Sequence, residues 1–211
     1  MVFGFTDRSR YTKIFSEDVP YEVALRIPRI IQQATEEAFR KDAELLPGVR
    51  RDMFPLYRRA YVETGVHHLS SRFAVSTQEK PNKAGNYSHV ELVAGRVVIV
   101  PAAVESQDDK PRQAAYRDSL AENPQMALPG FEQLSDGIGD ALLAVVLYGP
   151  SSYYPRSRDE ARPGFVVVRF PYADWSNFAP GRIDLLSHLA IAQRKERLPR
   201  DIALWPEEQA M

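Results

Sequence analysis

The chain has 211 residues, of which 44% are hydrophobic and 26% are charged, and its 27 basic and 28 acidic side chains give a net charge of −1. These values are ordinary for a globular domain, and they exclude a disordered chain and a protein coated with positive charge for nucleic-acid or membrane binding. The absence of cysteine excludes disulfides, thiolate metal sites and a cysteine nucleophile.

The length favours one domain over residues 1–211, in which an N-terminal arm (1–19) and a C-terminal tail (200–211) are candidate mobile segments. The first residues show no apolar stretch of the kind that a secretory signal needs. The longest apolar run, which begins at Ala141, is less than half of a membrane span. We therefore expect a soluble cytoplasmic protein with no membrane contact.

The first half of the chain predicts two helices. Residues 28–46 place Ile31 and Ala34 on one apolar stripe, and residues 52–73 repeat apolar side chains at three- and four-residue steps. The short connection between them predicts an antiparallel pair. Gly65 lies inside the second helix, where a glycine costs about 1 kcal/mol relative to alanine. Close packing or a local bend would account for it.

Hydrophobic runs bounded by glycine and proline predict four strands, at residues 88–93, 96–100, 141–148 and 164–170. The first two strands form a hairpin. The last two do not alternate between apolar and polar residues, which is typical of strands at the centre of a sheet that is covered on both faces. Residues 78–87, which precede the hairpin, predict a loop.

Two further helices, at residues 112–121 and 182–197, and two long loops, at residues 122–140 and 149–163, complete the pattern. Strands and helices do not alternate regularly along the chain. The sequence therefore predicts an α+β fold, in which a largely antiparallel sheet of about four strands is packed by three or four helices.

Common catalytic and ligand-binding motifs do not occur in this sequence. It contains no Walker phosphate loop, no His-Glu-x-x-His zinc motif and no Gly-x-Ser-x-Gly nucleophile elbow. We therefore expect no metal and no cofactor, and we favour a protein without enzymatic activity over an enzyme.

One polar constellation nevertheless has the composition of a hydrolase or nuclease site. His68 and Arg72 lie on one side of the second helix, His89 and Glu91 share a face of the first hairpin strand, and Arg96 begins its partner strand. An imidazole, a carboxylate and a guanidinium in one cleft supply general acid–base chemistry. The simpler interpretation, which we favour, is a solvent-exposed hairpin face on which Glu91 pairs with Arg96.

The main functional hypothesis is a non-enzymatic binding or regulatory protein. Arg51, Arg58 and Arg59 cluster on the second helix, and Tyr57 and Tyr61 are interleaved with them. Such a cluster suits an acidic protein partner, or the phosphates of a nucleic acid with the tyrosines stacked on its bases. We expect a protein partner first and a nucleic acid as the alternative.

A third hypothesis is a structural subunit of a larger complex. Large apolar side chains outside the predicted core are candidate docking residues, because aromatic residues are enriched at protein interfaces. These residues are Tyr153, Tyr154, Trp175, Leu204 and Trp205.

Overall fold

The structure is a computed structural model that describes residues 9–81, 88–111, 142–150, 155, 157–172 and 177–196. The predicted helix at 112–121, the loop at 122–140 and the tail at 200–211 lie outside the described residues. So do the docking candidates Tyr153, Tyr154, Trp175, Leu204 and Trp205.

Helices and strands are numbered in chain order. The helices are α1 (Arg10–Asp18), α2 (Tyr21–Asp42), α3 (Pro47–His67), α4 (Arg158–Ala161) and α5 (Leu185–Glu196), and a 3-10 turn (His68–Ser71) follows α3. The strands are β1 (Ser76–Pro81), β2 (Ser88–Ala94), β3 (Val97–Ala103), β4 (Leu142–Pro150), β5 (Pro163–Arg169) and β6 (Ile183–Asp184).

The six strands form one sheet in the order β1-β2-β3-β4-β5-β6. Strands β3 and β4 are parallel, and each of the other neighbouring pairs is antiparallel. The predicted α+β class with a largely antiparallel sheet is confirmed. The predicted number of about four strands was too low, because the two edge strands β1 and β6 escaped prediction.

Strand β1 begins at Ser76 and therefore overlaps the segment predicted as a loop. Its sequence, Ser-Thr-Gln-Glu-Lys-Pro, contains no alternating apolar residue that would indicate a strand. It forms by pairing with β2, which places Lys80 opposite His89 and Gln78 opposite Glu91. A lysine and a proline are typical of an edge strand, since both discourage further strand pairing.

Helices α2 and α3 both begin earlier than predicted. Helix α2 starts at Tyr21 and runs through Pro28, although proline lacks an N–H and usually interrupts a helix. Apolar residues on both sides of Pro28, among them Val23 and Ile31, are fully buried, so tertiary packing holds the segment helical. Helix α3 starts at Pro47, where the missing N–H is harmless in the first turn.

Residues of the predicted N-terminal arm form α1 from Arg10 to Asp18. The side chain of Ser9 accepts a hydrogen bond from the Thr12 N–H and caps the helix. Phe15 is fully buried and contacts Phe170 edge to face, with ring centroids 6.2 Å apart. This part of the arm is integral to the core.

The main core lies between the helices and one face of the sheet. Helix residues such as Val62 and Val66 pack with Val90 and Leu92 of β2 in one apolar cluster. On the opposite face of the sheet a smaller cluster contains Val98, Val100, Ala102, Leu143, Val145, Leu147, Val167 and Phe178. Among the described residues, no helix is long and apolar enough to cross a membrane.

Candidate functional site

A groove of about 690 Å³ lies between the first half of α3 and the segment that follows β3. It is lined by Arg51, Asp52, Phe54, Pro55, Leu56, Arg58, Arg59, Ala103, Val104, Glu105, Asp109 and Lys110. We call it the α3 groove. Because β3 and β4 are parallel, their carboxyl ends meet at the same edge of the sheet, and the groove opens at that edge. Ligand sites are common where such strand ends meet.

Arg58 is the most buried charged side chain of the α3 groove, with 7% of its surface exposed. Its guanidinium carbon lies 5.5 Å from the ring centroid of Phe54, one turn earlier on α3, and 5.5 Å from that of Tyr148 on β4. Both distances are within the range of cation–π attraction. The two rings therefore hold this positive charge in a fixed position on the wall of the groove.

Arg59 and Arg51 line the same groove and are more exposed than Arg58. The Nε of Arg59 donates to Glu63 Oε1 at 2.8 Å, and its Nη2 donates to the Ser88 carbonyl at 3.2 Å. The Nε of Arg51 lies 3.8 Å from Asp52 Oδ1, and both of these side chains are largely exposed. An exposed ion pair of this kind is weak, so Arg51 is readily available to a ligand.

The two tyrosines of the predicted binding cluster differ from the arginines. Tyr61 packs against the main core, and Tyr57 is half-buried on α3. Neither residue is among those that line the α3 groove.

A stripe of exposed apolar side chains runs along the start of α3. Leu46, at the N-cap, is 75% exposed, Val49 is 43% exposed and Leu56 is 58% exposed. Residues spaced by three and seven lie on one side of a helix, and Leu56 also lines the α3 groove. Leu56, at the end of this exposed apolar stripe, therefore also borders the charged groove.

A second polar cluster is buried on β2. His89 is 2% exposed and Glu91 is 1% exposed, and the His89 Nε2 lies 3.1 Å from Glu91 Oε1. The Nζ of Lys80 lies 2.7 Å from Glu91 Oε2. Burial alone would raise the pKa of Glu91, but its hydrogen bonds with His89 and Lys80 and their charges outweigh that effect and lower it.

This cluster corrects the interpretation of the hairpin as a solvent-exposed face. His89 and Glu91 are buried, and the partner of Glu91 is Lys80 rather than Arg96. The pairing of β2 with β1, a strand that the sequence does not predict, places Lys80 beside Glu91. Without that partner, the alternation of polar and apolar residues in β2 predicts a solvent-exposed face.

The remaining residues of the hydrolase hypothesis lie elsewhere. Leu69, next to His68, packs with Val90 and Leu92 on the helix-covered face of the sheet, whereas side chains alternate along a strand and those of His89 and Glu91 point to the other face. Arg72 is exposed after the 3-10 turn. The structure thus brings His89 and Glu91 together without His68 or Arg72.

Arg96 is engaged at the other end of the hairpin. Its Nε and Nη2 donate to Asp18 Oδ2 and Oδ1, each at 2.8 Å, and its backbone N–H donates to Oδ2 at 2.6 Å. The side-chain bond to Arg96 is the main reason that the pKa of Asp18 is lowered. Arg96 therefore fastens α1 to the turn between β2 and β3, which is a structural task.

The described residues contain no group of three or more His, Cys, Asp or Glu side chains that would hold a metal ion. Glu91 has an imidazole and an ammonium as its polar neighbours. An ammonium does not coordinate metals, so within the described residues this cluster does not supply a ligand set.

Several residues of the α3 groove and of the buried cluster on β2 were not predicted from the sequence. Phe54 and Tyr148, which hold Arg58, are 94 positions apart, and Lys80 lies in the segment predicted as a loop. Glu105, Asp109 and Lys110 read as an ordinary charged surface turn. Only the pairing of β3 with β4 and of β1 with β2 brings these residues to their sites.

Comparison of the chain with protein-family models, with curated proteins and with solved structures finds no match. The α3 groove, with the exposed stripe beside it, and the buried cluster on β2 are therefore the features from which a function is inferred.

Proposed function

We propose that the chain is a non-enzymatic binding protein that holds a partner protein through the α3 groove. The observation that carries this proposal is the set of exposed apolar side chains at Leu46, Val49 and Leu56, of which Leu56 also lines the groove. An exposed apolar stripe is costly in water and gains free energy when a partner covers it.

The charges of the α3 groove favour a protein over a nucleic acid. Four basic side chains line it, but three carboxylates, those of Asp52, Glu105 and Asp109, share the same walls. A phosphodiester backbone would be repelled by these carboxylates, whereas a protein segment with side chains of both signs can match them. A nucleic acid remains the alternative partner.

Arg58 and Leu56 are the expected anchors of the interface. Arg58 is already ordered by Phe54 and Tyr148, so a carboxylate of the partner would bind it with little further loss of side-chain entropy. Leu56 supplies apolar area next to it. An apolar anchor beside an arginine is typical of the few residues that dominate protein interfaces.

Site-specific photo-crosslinking in cells tests this proposal. A photoreactive phenylalanine analogue replaces Leu56 in one variant and Ile191 in another. Ile191, on α5, is the matched control because it is 48% exposed, comparable to Leu56, but does not line the α3 groove. We expect a discrete crosslinked product at position 56 that is larger than this chain and is unchanged by nuclease, and none at position 191.

The other outcomes of this experiment are equally informative. A product at position 56 that is sensitive to nuclease would assign a nucleic acid as the partner. Equal yields at positions 56 and 191, or no product at position 56, would contradict a partner-binding role for the α3 groove.

The alternative proposal is a small hydrolase or nuclease-like enzyme that uses the buried cluster on β2. The observation in its favour is the contact of 3.1 Å between the His89 Nε2 and Glu91 Oε1, because a carboxylate that orients an imidazole is a common acid–base arrangement. Activated phosphodiester and ester substrates test it. Turnover that is lost in His89→Gln and kept in His67→Gln would support the enzyme; no turnover by the wild type would exclude it for these substrate classes.

A further inference from the structure

The two walls of the α3 groove carry an excess of opposite charge. On the α3 wall one carboxylate, that of Asp52, accompanies three arginines. The opposite wall is the turn that follows β3, where two carboxylates, those of Glu105 and Asp109, accompany Lys110. The groove is therefore polarised across its width, with an excess of positive charge along the helix and of negative charge along the turn.

Charged groups on both walls are held in place by the fold. On α3, the guanidinium carbon of Arg58 lies 5.5 Å from the ring centroids of both Phe54 and Tyr148. On the turn, Asp109 Oδ2 accepts a hydrogen bond from the Ser106 N–H at 2.7 Å. A segment that enters the groove therefore meets a fixed pattern of charge.

The backbone of the turn is largely engaged within the protein. The Val104 N–H donates to the Tyr148 carbonyl at 3.0 Å, and the Asp109 N–H donates to the Ser106 carbonyl at 3.0 Å. The backbone of α3 is bonded within the helix. An extended segment needs partners for its own N–H and C=O groups, whereas a helix satisfies these groups internally. The groove therefore suits a helix better than an extended segment.

The exposed apolar side chains of α3 set the length of the contact. Leu46 and Leu56 are ten positions apart, and Val49 lies between them. At the rise of a helix this spacing corresponds to about 15 Å, or about three turns of a second helix that lies along α3. Such a helix would cover these residues with apolar side chains that recur every three or four positions.

We propose that the segment bound in the α3 groove is an amphipathic helix of the partner protein, with an acidic flank toward α3 and a basic flank toward the turn after β3. This inference rests on the proposed function and adds the class of segment that is bound. Residues three and four apart lie on one side of a helix, so each flank can present a row of like charges. A uniformly acidic segment would be attracted by the α3 wall and repelled by the turn.

Charge reversal on each wall tests the proposal, with photo-crosslinking at position 56 as the readout, so that the partner need not be known. The variants are Arg51→Glu on α3 and Glu105→Arg on the turn, both at exposed positions. We expect each variant to lower the yield of the crosslinked product, relative to the amount of chain, by about fivefold or more. The reason is that each reversal replaces an attraction with a repulsion.

Two charge reversals outside the α3 groove are the matched controls. Lys13→Glu alters an exposed ion pair with Glu17 that spans 3.8 Å, the same distance as the pair of Arg51 with Asp52. Glu79→Arg reverses an exposed carboxylate on the edge strand β1. We expect both controls to crosslink at position 56 as the unsubstituted protein does. Unfolding temperatures measured by circular dichroism separate a loss of binding from a loss of folding.

The sign of the effect at position 105 decides between classes of segment. If Glu105→Arg raises the yield while Arg51→Glu lowers it, the bound segment is uniformly acidic and the proposal is wrong. Equal yields in both variants and the controls would also overturn it. If the protein without charge reversal gives no product at position 56, the proposed function itself fails.

The sequence of the crosslinked segment, read by mass spectrometry, tests the helix separately. We expect apolar residues at intervals of three and four, with acidic residues on one side of this repeat and basic residues on the other. A crosslinked segment that is interrupted by proline or lacks this repeat would overturn the assignment of a helix, while the proposed function would stand.

Discussion

The two halves of α3 differ in what they present to the rest of the molecule. In the second half Val62, Gly65 and Val66 are buried against α2 and β2. In the first half Val49 and Leu56 are exposed although both are apolar, and the charged side chains face the α3 groove. One helix thus combines a half that attaches it to the core with a half in which Phe54 is buried but Val49 and Leu56 are left exposed.

This difference predicts which half of α3 stabilises the fold and which half binds a partner. Apolar side chains contribute to folding in proportion to the area that they remove from water, so the second half of α3 should dominate the stability of the helix. The first half contributes less by that route, because Phe54 is its one buried apolar side chain. Its exposed apolar residues are therefore free to serve a partner, and substitutions in the two halves should affect different properties.

The largest effect should follow from Leu69→Ala, just beyond the buried half of α3. Leu69 is 2% exposed and packs in the main core, and such truncations cost about 3 kcal/mol of unfolding free energy. Urea unfolding followed by circular dichroism measures the loss. A change below about 0.5 kcal/mol, the range of surface substitutions, would show that this end of α3 does not carry the packing.

Gly65→Ala should destabilise the protein by roughly 1–2 kcal/mol. In an open helix this change is favourable by about 1 kcal/mol, but here the new Cβ would meet Ile30 Cγ2 at 2.5 Å and force the helices apart. Gly48, near the start of α3, is the matched control because a Cβ there meets nothing within 4 Å. Thermal unfolding should show opposite signs for the two alanine variants; a stabilised Gly65→Ala would refute the close packing.

Asp42→Asn should stabilise the protein at neutral pH by about 0.5–1 kcal/mol, since a carboxylate at a helix C-terminus opposes the helix dipole. Asp42 ends α2 and is 7% exposed, and burial raises its pKa above the usual 3.8, although the charge of Arg50 offsets part of this. Because the pKa of Asp42 is raised in the folded state, the contribution of this residue to the free energy of unfolding is greatest below pH 3.8. That contribution falls as the pH rises through the folded-state pKa. Asparagine removes that fall.

Denaturant unfolding over a range of pH checks this prediction. The advantage of Asp42→Asn over the wild type should grow between pH 3.8 and the raised pKa and stay constant above it. If Asp42→Asn is less stable than the wild type at neutral pH, the carboxylate of Asp42 does not destabilise the end of α2, and the prediction is wrong.

The smallest effect on stability should come from Leu56→Ala. Leu56 is 58% exposed, so its truncation should change the unfolding free energy by less than about 0.5 kcal/mol. The same variant should lose most of its partner binding, which Leu69→Ala should retain under conditions where it is folded. Together the two leucine variants separate the roles of the two halves; a large loss of stability in Leu56→Ala would remove the distinction between them.

The sequence predicts those parts of the fold whose signal is local. Helices α2 and α3 follow from apolar residues at helical spacing, and β4 and β5 follow from continuous apolar runs between turn residues. Strand β1 has no such signal, because an exposed edge strand is stabilised by its hydrogen-bonded neighbour rather than by its own side chains. The start of α2 before Pro28 also depends on burial in the finished core.

The candidate site is predictable only where its members share one helix. Arg51 and Arg58 are seven residues apart and line the same groove, as their helical spacing indicates. Tyr148, which holds Arg58 from β4, and Lys80, which pairs with Glu91 from β1, come from distant strands. Strand order and register bring them into place, and neither is encoded in a short stretch of sequence.

The affinity of the crosslinked partner for three forms of the protein tests the central claim most directly. The forms are the wild type, Leu56→Asp in the exposed half of α3, and Ile191→Asp as a control of similar exposure on α5. We expect Leu56→Asp to weaken binding about tenfold or more, with unfolding temperatures unchanged, and Ile191→Asp to bind as the wild type does. Equal affinity of Leu56→Asp and the wild type would contradict the assignment of the α3 groove as the binding surface.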